Sequence, residues 1–298
     1  MVRTSLAYAA CVAIWGTTWL AIKLSLLGFP PVLGAGLRFV LAGSLLYACA
    51  FATRVDLRRH APPLHLVLVL AATMFGFNYV LTYAAETHLA SGLVAVLYGT
   101  MPFFVYGFAS VVLRERVSLA GVAGALIALT GVALVSLSGG ARGDATFVAI
   151  TLVAAGLSGF ANVYLKRYAA SEPLATLPPA MLIAGILMTL WGAVFEPVAW
   201  HAAGNVRPLA ALCYLAVFGS AIAFYLNHWL LQRISSGAMG LSALLIPVVA
   251  VAVGALFGGE TFTPRVLAGA LAVVIGVAIS LRGEGSNMEP TTEPHPAI

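Results

Sequence analysis

The sequence predicts an all-α polytopic membrane protein: ten transmembrane helices in two inverted five-helix repeats. Three observations lead there. First, 61% of the 298 residues are hydrophobic and only 8% are charged, whereas a soluble domain averages about 25% charged. Second, ten apolar segments (4–27, 31–53, 65–85, 90–113, 117–138, 145–168, 174–195, 207–231, 237–258 and 264–282) approach the roughly 20 residues a helix needs to cross a bilayer core of about 30 Å. Third, the chain repeats itself. At a shift of 145 residues, Ser91-Gly92 falls on Ser236-Gly237, Pro102 on Pro247, Glu115 on Glu260, and GALIALTGVAL (124–134) on GALAVVIGVAI (269–279). Earlier the shift is 143: Gly16 falls on Gly159, Lys23 on Lys166 and Pro30 on Pro173. Chance likeness between two Ala/Gly/Val-rich helices explains the last of the 145-residue matches but not Pro and Glu in the same register. Because five is odd, the second copy must enter the membrane from the opposite side, as inverted repeats do.

The expected units are residues 1–138 and 145–282, one repeat each, followed by a polar, Pro-rich tail, 283–298, read as disordered. Arg3 before an apolar run superficially fits a signal peptide, but the first segment has a counterpart in the second half, so it is read as a span. Ten spans put both termini on one side. With that side taken as inside, it carries Arg3, Arg54, Arg58, Arg59, Arg114, Arg116, Lys166, Arg167, Arg233 and Arg282, against Arg142, Arg207 and Arg265 outside. The excess predicts cytoplasmic termini. The net charge of +5 is too small to suggest a nucleic-acid partner. Cys11, Cys49 and Cys213 lie in apolar runs and read as small core residues with no disulfide framework. No His/Cys cluster has metal-ligand spacing, and no cofactor is expected.

Taken in order, the spans carry polar residues that hydrocarbon would not tolerate unpaired. Span one contains CVAIWGTTWLAIK (11–23), in which Cys11, Trp15, Trp19 and Lys23 recur every fourth residue with Thr18 at the border. That is one helical stripe, expected to line a central cavity. Lys23 and Arg38 lie toward the outer ends of spans one and two and are placed to snorkel to the interface or to set a cationic field. Arg38, roughly 10 Å into its helix, is deep for snorkelling. Glu86 is a possible partner for either.

Span three carries Asn78, Tyr79, Thr82, Tyr83 and Glu86 within an arc of about 140°, a polar aromatic wall. In span four Tyr98 precedes Pro102 by one turn. Pro102 and Pro247, at equivalent places near mid-span, are candidate hinges. In spans five and ten Gly124, Gly131, Gly269 and Gly276 permit close helix packing, within one chain or between two, so monomer and homodimer are both open. Span six spaces Ser158, Asn162 and Lys166 four apart, with Lys166 read as an inside anchor; span eight holds Asn227 and His228. Asn162 and His228 join Trp15, Trp19, Asn78, Tyr79, Tyr83 and Tyr98 as candidate substrate contacts, with Lys23, Arg38 and Glu86 as candidate charge or gating residues.

IWGTTW in span one, GLRFVLAG (36–43) in span two, and the paired Pro102/Glu115 and Pro247/Glu260 pattern resemble the drug/metabolite transporter superfamily in its ten-span EamA form. The resemblance covers residues 4–282. It implies a basket-like bundle in a bacterial inner membrane that exports small metabolites. The polar aromatics in the spans resemble those of YddG-type exporters of aromatic and other neutral amino acids.

The residues themselves favour such a cargo. Tryptophan and tyrosine offer flat apolar faces with polar edges, and asparagines can meet an amino or carboxyl group, which suits a neutral zwitterion. No Asp or Glu lies mid-span, which argues against a proton-coupled exporter of cations. The expected function is export of neutral amino acids by alternating access, with the lipid bilayer and a small-molecule substrate as partners and no nucleic acid. The alternatives are another metabolite class on the same fold (a nucleotide sugar, purine or drug) and, remotely, an intramembrane serine protease. For the last, GLSG (156–159) and His228 supply a nominal nucleophile and base, but two inverted copies have no use there. No catalytic residue is assigned.

Overall fold

The computed structural model describes residues 2–89, 94, 97–136, 144–197, 205–249 and 264–285. Among these the regular secondary structure is all helical. The helices are α1 (Val2–Leu26), α2 (Pro31–Ala52), α3 (Leu64–His88), α4 (Met101–Val112), α5 (Leu119–Ser136), α6 (Ala145–Arg167), α7 (Pro173–Phe195), α8 (Val206–Leu231), α9 (Ser236–Val249) and α10 (Pro264–Gly285). Six of them (α1, α2, α3, α6, α7 and α8) are long and apolar enough by themselves to cross a membrane. The others are apolar with shorter described stretches. Ser91-Gly92, Glu260, the second half of the predicted ninth span and most of the tail fall outside the described residues.

Local chemistry sets the helix ends. Pro31 and Pro173 stand in the first turns of α2 and α7, where a missing N–H is harmless. Asp144 caps α6 by accepting from Thr146 N, and Ser235 caps α9 by accepting from Ala238 N. Arg54 and Arg114 turn the chain after α2 and α4 with φ of 56° and 57°. The carboxylate of Glu196, at the end of α7, accepts from the backbone of Val32 (3.0 Å) and Leu33 (2.8 Å). One repeat thus places a negative charge on the positive end of a helix in the other.

The inversion is visible in which residues meet. Along the α2–α7 seam Leu33 lies against Gly192, Gly36 against Thr189 and Gly43 against Leu182. The numbers rise on one helix as they fall on the other, so these equivalent helices run antiparallel. In the α5–α10 seam Gly124 meets Gly276 and Gly131 meets Gly269. Each of these contacts is the other displaced by the 145-residue repeat, as a two-fold axis requires. A third pair agrees: a side chain on Gly159 would meet Met101 O at 3.4 Å, and one on its equivalent Gly16 would meet Ile246 O at 3.3 Å.

The glycine faces of spans five and ten therefore pack within one chain. A Cβ on Gly276 would lie 2.5 Å from Gly124 O and from Ala128 N, so only glycine permits this approach.

Three features departed from expectation. The α3 and α8 helices each contain a π-helical segment, Ala71–Gly76 and Leu215–Ile222, at equivalent places in the two repeats. Pro102 stands in the first turn of α4 directly after a turn at Gly99–Thr100, so span four is broken there rather than bent at mid-helix. Pro247 lies buried within α9. The cysteines are all free thiols, but only Cys11 is a core residue; Cys49 and Cys213 are exposed on the outer surface. The largest core cluster joins α1, α2, α3, α7 and α8 around Phe39, Phe75, Leu70, Met74 and Met181.

Candidate functional site

Helices from both repeats surround a cavity of ≈ 90 Å³. Most of its lining comes in repeat-related pairs. Trp15 and Ser158, and Trp19 and Asn162, stand 143 residues apart. Tyr79 and Phe224, Tyr98 and Ala243, and Met101 and Ile246 stand 145 apart. A space lined by such pairs straddles the axis that exchanges the two halves.

Aromatic edges fix the walls. Trp15 meets Phe224 edge-on (5.7 Å between ring centroids, 67°), Trp19 meets Tyr98 (5.9 Å, 74°) and Tyr79 meets Phe39 (4.7 Å, 82°). Such contacts contribute about 0.5–1.5 kcal/mol each.

The polar atoms are organised from behind. The Tyr98 hydroxyl donates to Asn78 Oδ1 at 2.5 Å, and Thr82 Oγ1 approaches the same oxygen at 3.4 Å. Asn162 Oδ1 accepts from Asn227 Nδ2 at 3.0 Å, while Asn162 Nδ2 donates to Ser158 O at 2.9 Å. Both asparagine carbonyl oxygens facing the cavity are therefore engaged by protein donors. Each amide nitrogen makes one bond and keeps a second N–H. The buried Ser242 hydroxyl, also on the lining, makes no hydrogen bond.

Arg38 is the one charged side chain among the described lining residues. It is 1% exposed. Its Nε donates to Ser220 Oγ (2.6 Å) and its Nη2 to Gly219 O (2.9 Å), both in the π segment of α8. The guanidinium carbon lies 4.9 Å from the Tyr79 ring centroid and 5.4 Å from that of Phe39, within cation–π range. Snorkelling is thereby overturned for Arg38: α8 supplies its acceptors locally, and the side chain stays inside.

The remaining candidates lie elsewhere. Tyr83 is wholly buried in the main core cluster; the polar arc of α3 is wide enough to face both the cavity and neighbouring helices. His228 is 0% exposed and does not line the cavity. Its Nε2 lies 3.3 Å from Ser171 Oγ, so it is paired away from Ser158 and no protease dyad forms. Lys23 is exposed at the far end of α1. Glu86 is buried near the end of α3, off the lining. Pro102 and Pro247 directly follow the lining residues Met101 and Ile246. Sequence reasoning missed Phe224, Ala243, Ile246, Met101, Ile22 and Ser242. The repeat shift applied to Tyr79 and Tyr98 would have found the first two, and Met101 and Ile246 are each other's equivalents.

The sequence pattern of the EamA-like transporter family matches twice, over residues 3–137 and 146–282. The chain belongs to this family. It is a multi-pass membrane transporter built from two copies of one unit. A protein of Escherichia coli (strain K12) described as an uncharacterized inner membrane transporter, YedA, is 29% identical over 84% of this chain and 81% of its own length. A probable amino-acid metabolite efflux pump of Salmonella typhimurium is 28% identical over 91% of this chain and 92% of its own. A probable terminal-alkyne amino-acid exporter of Streptantibioticus cattleyicolor is 29% identical over 94% of each chain. A solved crystal structure 21% identical to this EamA-like chain superposes with a TM-score of 0.81, covering 97% of this chain and 100% of that one. It shows the shared fold.

Proposed function

We propose that this transporter exports small neutral metabolites, chiefly aromatic and other neutral amino acids, by alternating access at the central cavity. The observation that carries this is the cavity's make-up: paired aromatic walls, amide and hydroxyl donors, and no carboxylate among the described lining residues. Trp15, Trp19 and Tyr79 would hold the cargo's side chain. Asn78, Tyr98 and Asn162 would meet its polar end. The repeats 1–138 and 145–282 would be the moving units, with Pro102 and Pro247 beside the cavity where the walls change course. The amino-acid reading also draws on the Salmonella and Streptantibioticus relatives, and inner-membrane residence on the Escherichia one. The Lys/Arg distribution supports cytoplasmic termini.

The cavity's size favours a small cargo, since ≈ 90 Å³ is little beside the about 300–1,000 Å³ of pockets that take drug-sized ligands. A sugar nucleotide would in addition need several cations, where Arg38 is the one among the described lining residues. The test is uptake of labelled amino acids into proteoliposomes, with and without an imposed proton gradient. Movement of neutral amino acids down their own gradient is the expected result. Uptake of sugar nucleotides alone would overturn the cargo.

A further inference from the structure

Arg38 presents a charge without an answer. Nε and Nη2 donate to Ser220 and Gly219, but Nη1 is buried with no hydrogen-bond partner. No Asp or Glu lines the cavity among the described residues. An unpaired buried cation is costly unless something of opposite charge arrives. Nor does the repeat supply a matching group: at the shift that brings Pro30 onto Pro173, Arg38 falls on Met181, a core residue. The charge therefore belongs to one wall only. The neutral polar lining agrees in sign. The carbonyl oxygens of Asn78 and Asn162 are engaged, and the unused donors include amide N–H groups, the Ser242 hydroxyl and Arg38 Nη1.

The geometry points to a carboxylate subsite at Arg38: the cargo binds with its carboxylate on Nη1, and Ser220 and Gly219 hold the guanidinium in place to receive it. The subsite rests on reading the cavity as the cargo site, and it names the group by which cargo is chosen. The two existing hydrogen bonds fix the plane of the guanidinium, so the third nitrogen is directed rather than free to turn. The aromatic faces at Tyr79 and Phe39 shield it from competing water. A carboxamide at the same place would offer Nη1 a neutral oxygen in place of a charged one, and an amine would offer no acceptor; a charged hydrogen bond weakened or lost in this way is worth roughly tenfold to a hundredfold in affinity.

Four probes of one shape separate the possibilities: phenylalanine, phenylalaninamide, phenethylamine and 3-phenylpropanoate. Their binding is read from quenching of tryptophan fluorescence in the detergent-purified full chain. Phenylalanine should bind at least tenfold more tightly than its amide or amine. Arg38→Gln should abolish that preference and Arg38→Lys should retain part of it. Equal binding of acid and amide to the unmodified protein overturns the subsite whether or not either variant folds, as does a preference that survives Arg38→Gln. Phenylalanine transported without acid–amide discrimination removes the subsite and leaves the amino-acid reading. Binding of 3-phenylpropanoate but not phenylalanine removes that reading and leaves the subsite. If no probe binds, both fall.

Discussion

The Tyr98 hydroxyl shows how single atoms set the cavity's character. It donates to Asn78 Oδ1 at 2.5 Å, and so holds that amide with its nitrogen rather than its oxygen available. In Tyr98→Phe the ring should keep its edge contact with Trp19, and the cavity its shape. The bond would go, leaving Asn78 Oδ1 with Thr82 at 3.4 Å as its remaining side-chain partner. The expected cost is about 1 kcal/mol of stability, read as a lower thermal midpoint. A several-fold rise in KM with little change in maximal rate should accompany it. An unchanged KM would mean that Asn78 does not face the cargo. Asn78 and Tyr98 were legible in the sequence because a polar side chain inside a span demands a partner. His228 obeyed the same rule and meets Ser171 at 3.3 Å outside the cavity, whereas Tyr83 faces the core with its hydroxyl unbonded. Periodicity says that such residues share an arc; it does not say which neighbour each part of the arc meets.

Among the elements, the helices and their pairing were legible because the signals are redundant: length, hydropathy and a repeat in register. Predicted spans 31–53 and 174–195 correspond to Pro31–Ala52 and Pro173–Phe195. The π segments of α3 and α8 were not legible, since a wide turn changes the hydrogen-bond ladder without any required residue type. That loss mattered, because one of these segments supplies both acceptors of Arg38. The α5–α10 seam is the contrasting case, where four glycines announce close packing and the structure assigns it to one chain. Gly276→Val would drive a branched side chain toward atoms 2.5 Å from its Cβ, both of them backbone, which cannot yield as a flexible side chain can. The expected loss is about 3 kcal/mol or more, at the upper end of overpacking effects. It should appear as a lower thermal midpoint and less folded protein in the membrane. Wild-type stability in this variant would mean that α5 and α10 do not meet as described. A change in oligomeric state with the monomer intact would instead put the glycines between chains.

For the whole molecule, inverted repeats make a stronger demand: whatever one half does at one membrane face, the other should be able to do at the opposite face. Lys166 donates to Leu231 O (2.5 Å) and Ile234 O (2.8 Å), tying the end of α6 to the turn between α8 and α9. Its equivalent, Lys23, is exposed at the other face. Displacing Leu231 and Ile234 by 145 gives Glu86 and Leu89, where α3 ends. If the halves exchange roles during transport, Lys23 should dock on the main chain there as Lys166 lets go. The face where α1 begins is fastened by other bonds as well: Tyr8 to Ala238 O at 3.1 Å, and Ser236 to Glu115 at 2.6 Å. Lys166→Met keeps most of the side chain's bulk and removes its donors. It should loosen that face and shift the population toward a cavity open there. The readout is thiol labelling of Ser242→Cys, in a background with Cys11, Cys49 and Cys213 replaced, by an impermeant reagent applied to each face in turn. Lys166→Met should speed labelling from the face where α1 begins and slow it from the other; Lys23→Met should do the reverse. Unchanged rates in both variants would show that these lysines only anchor helix ends, and that the exchange of halves is governed elsewhere in the bundle.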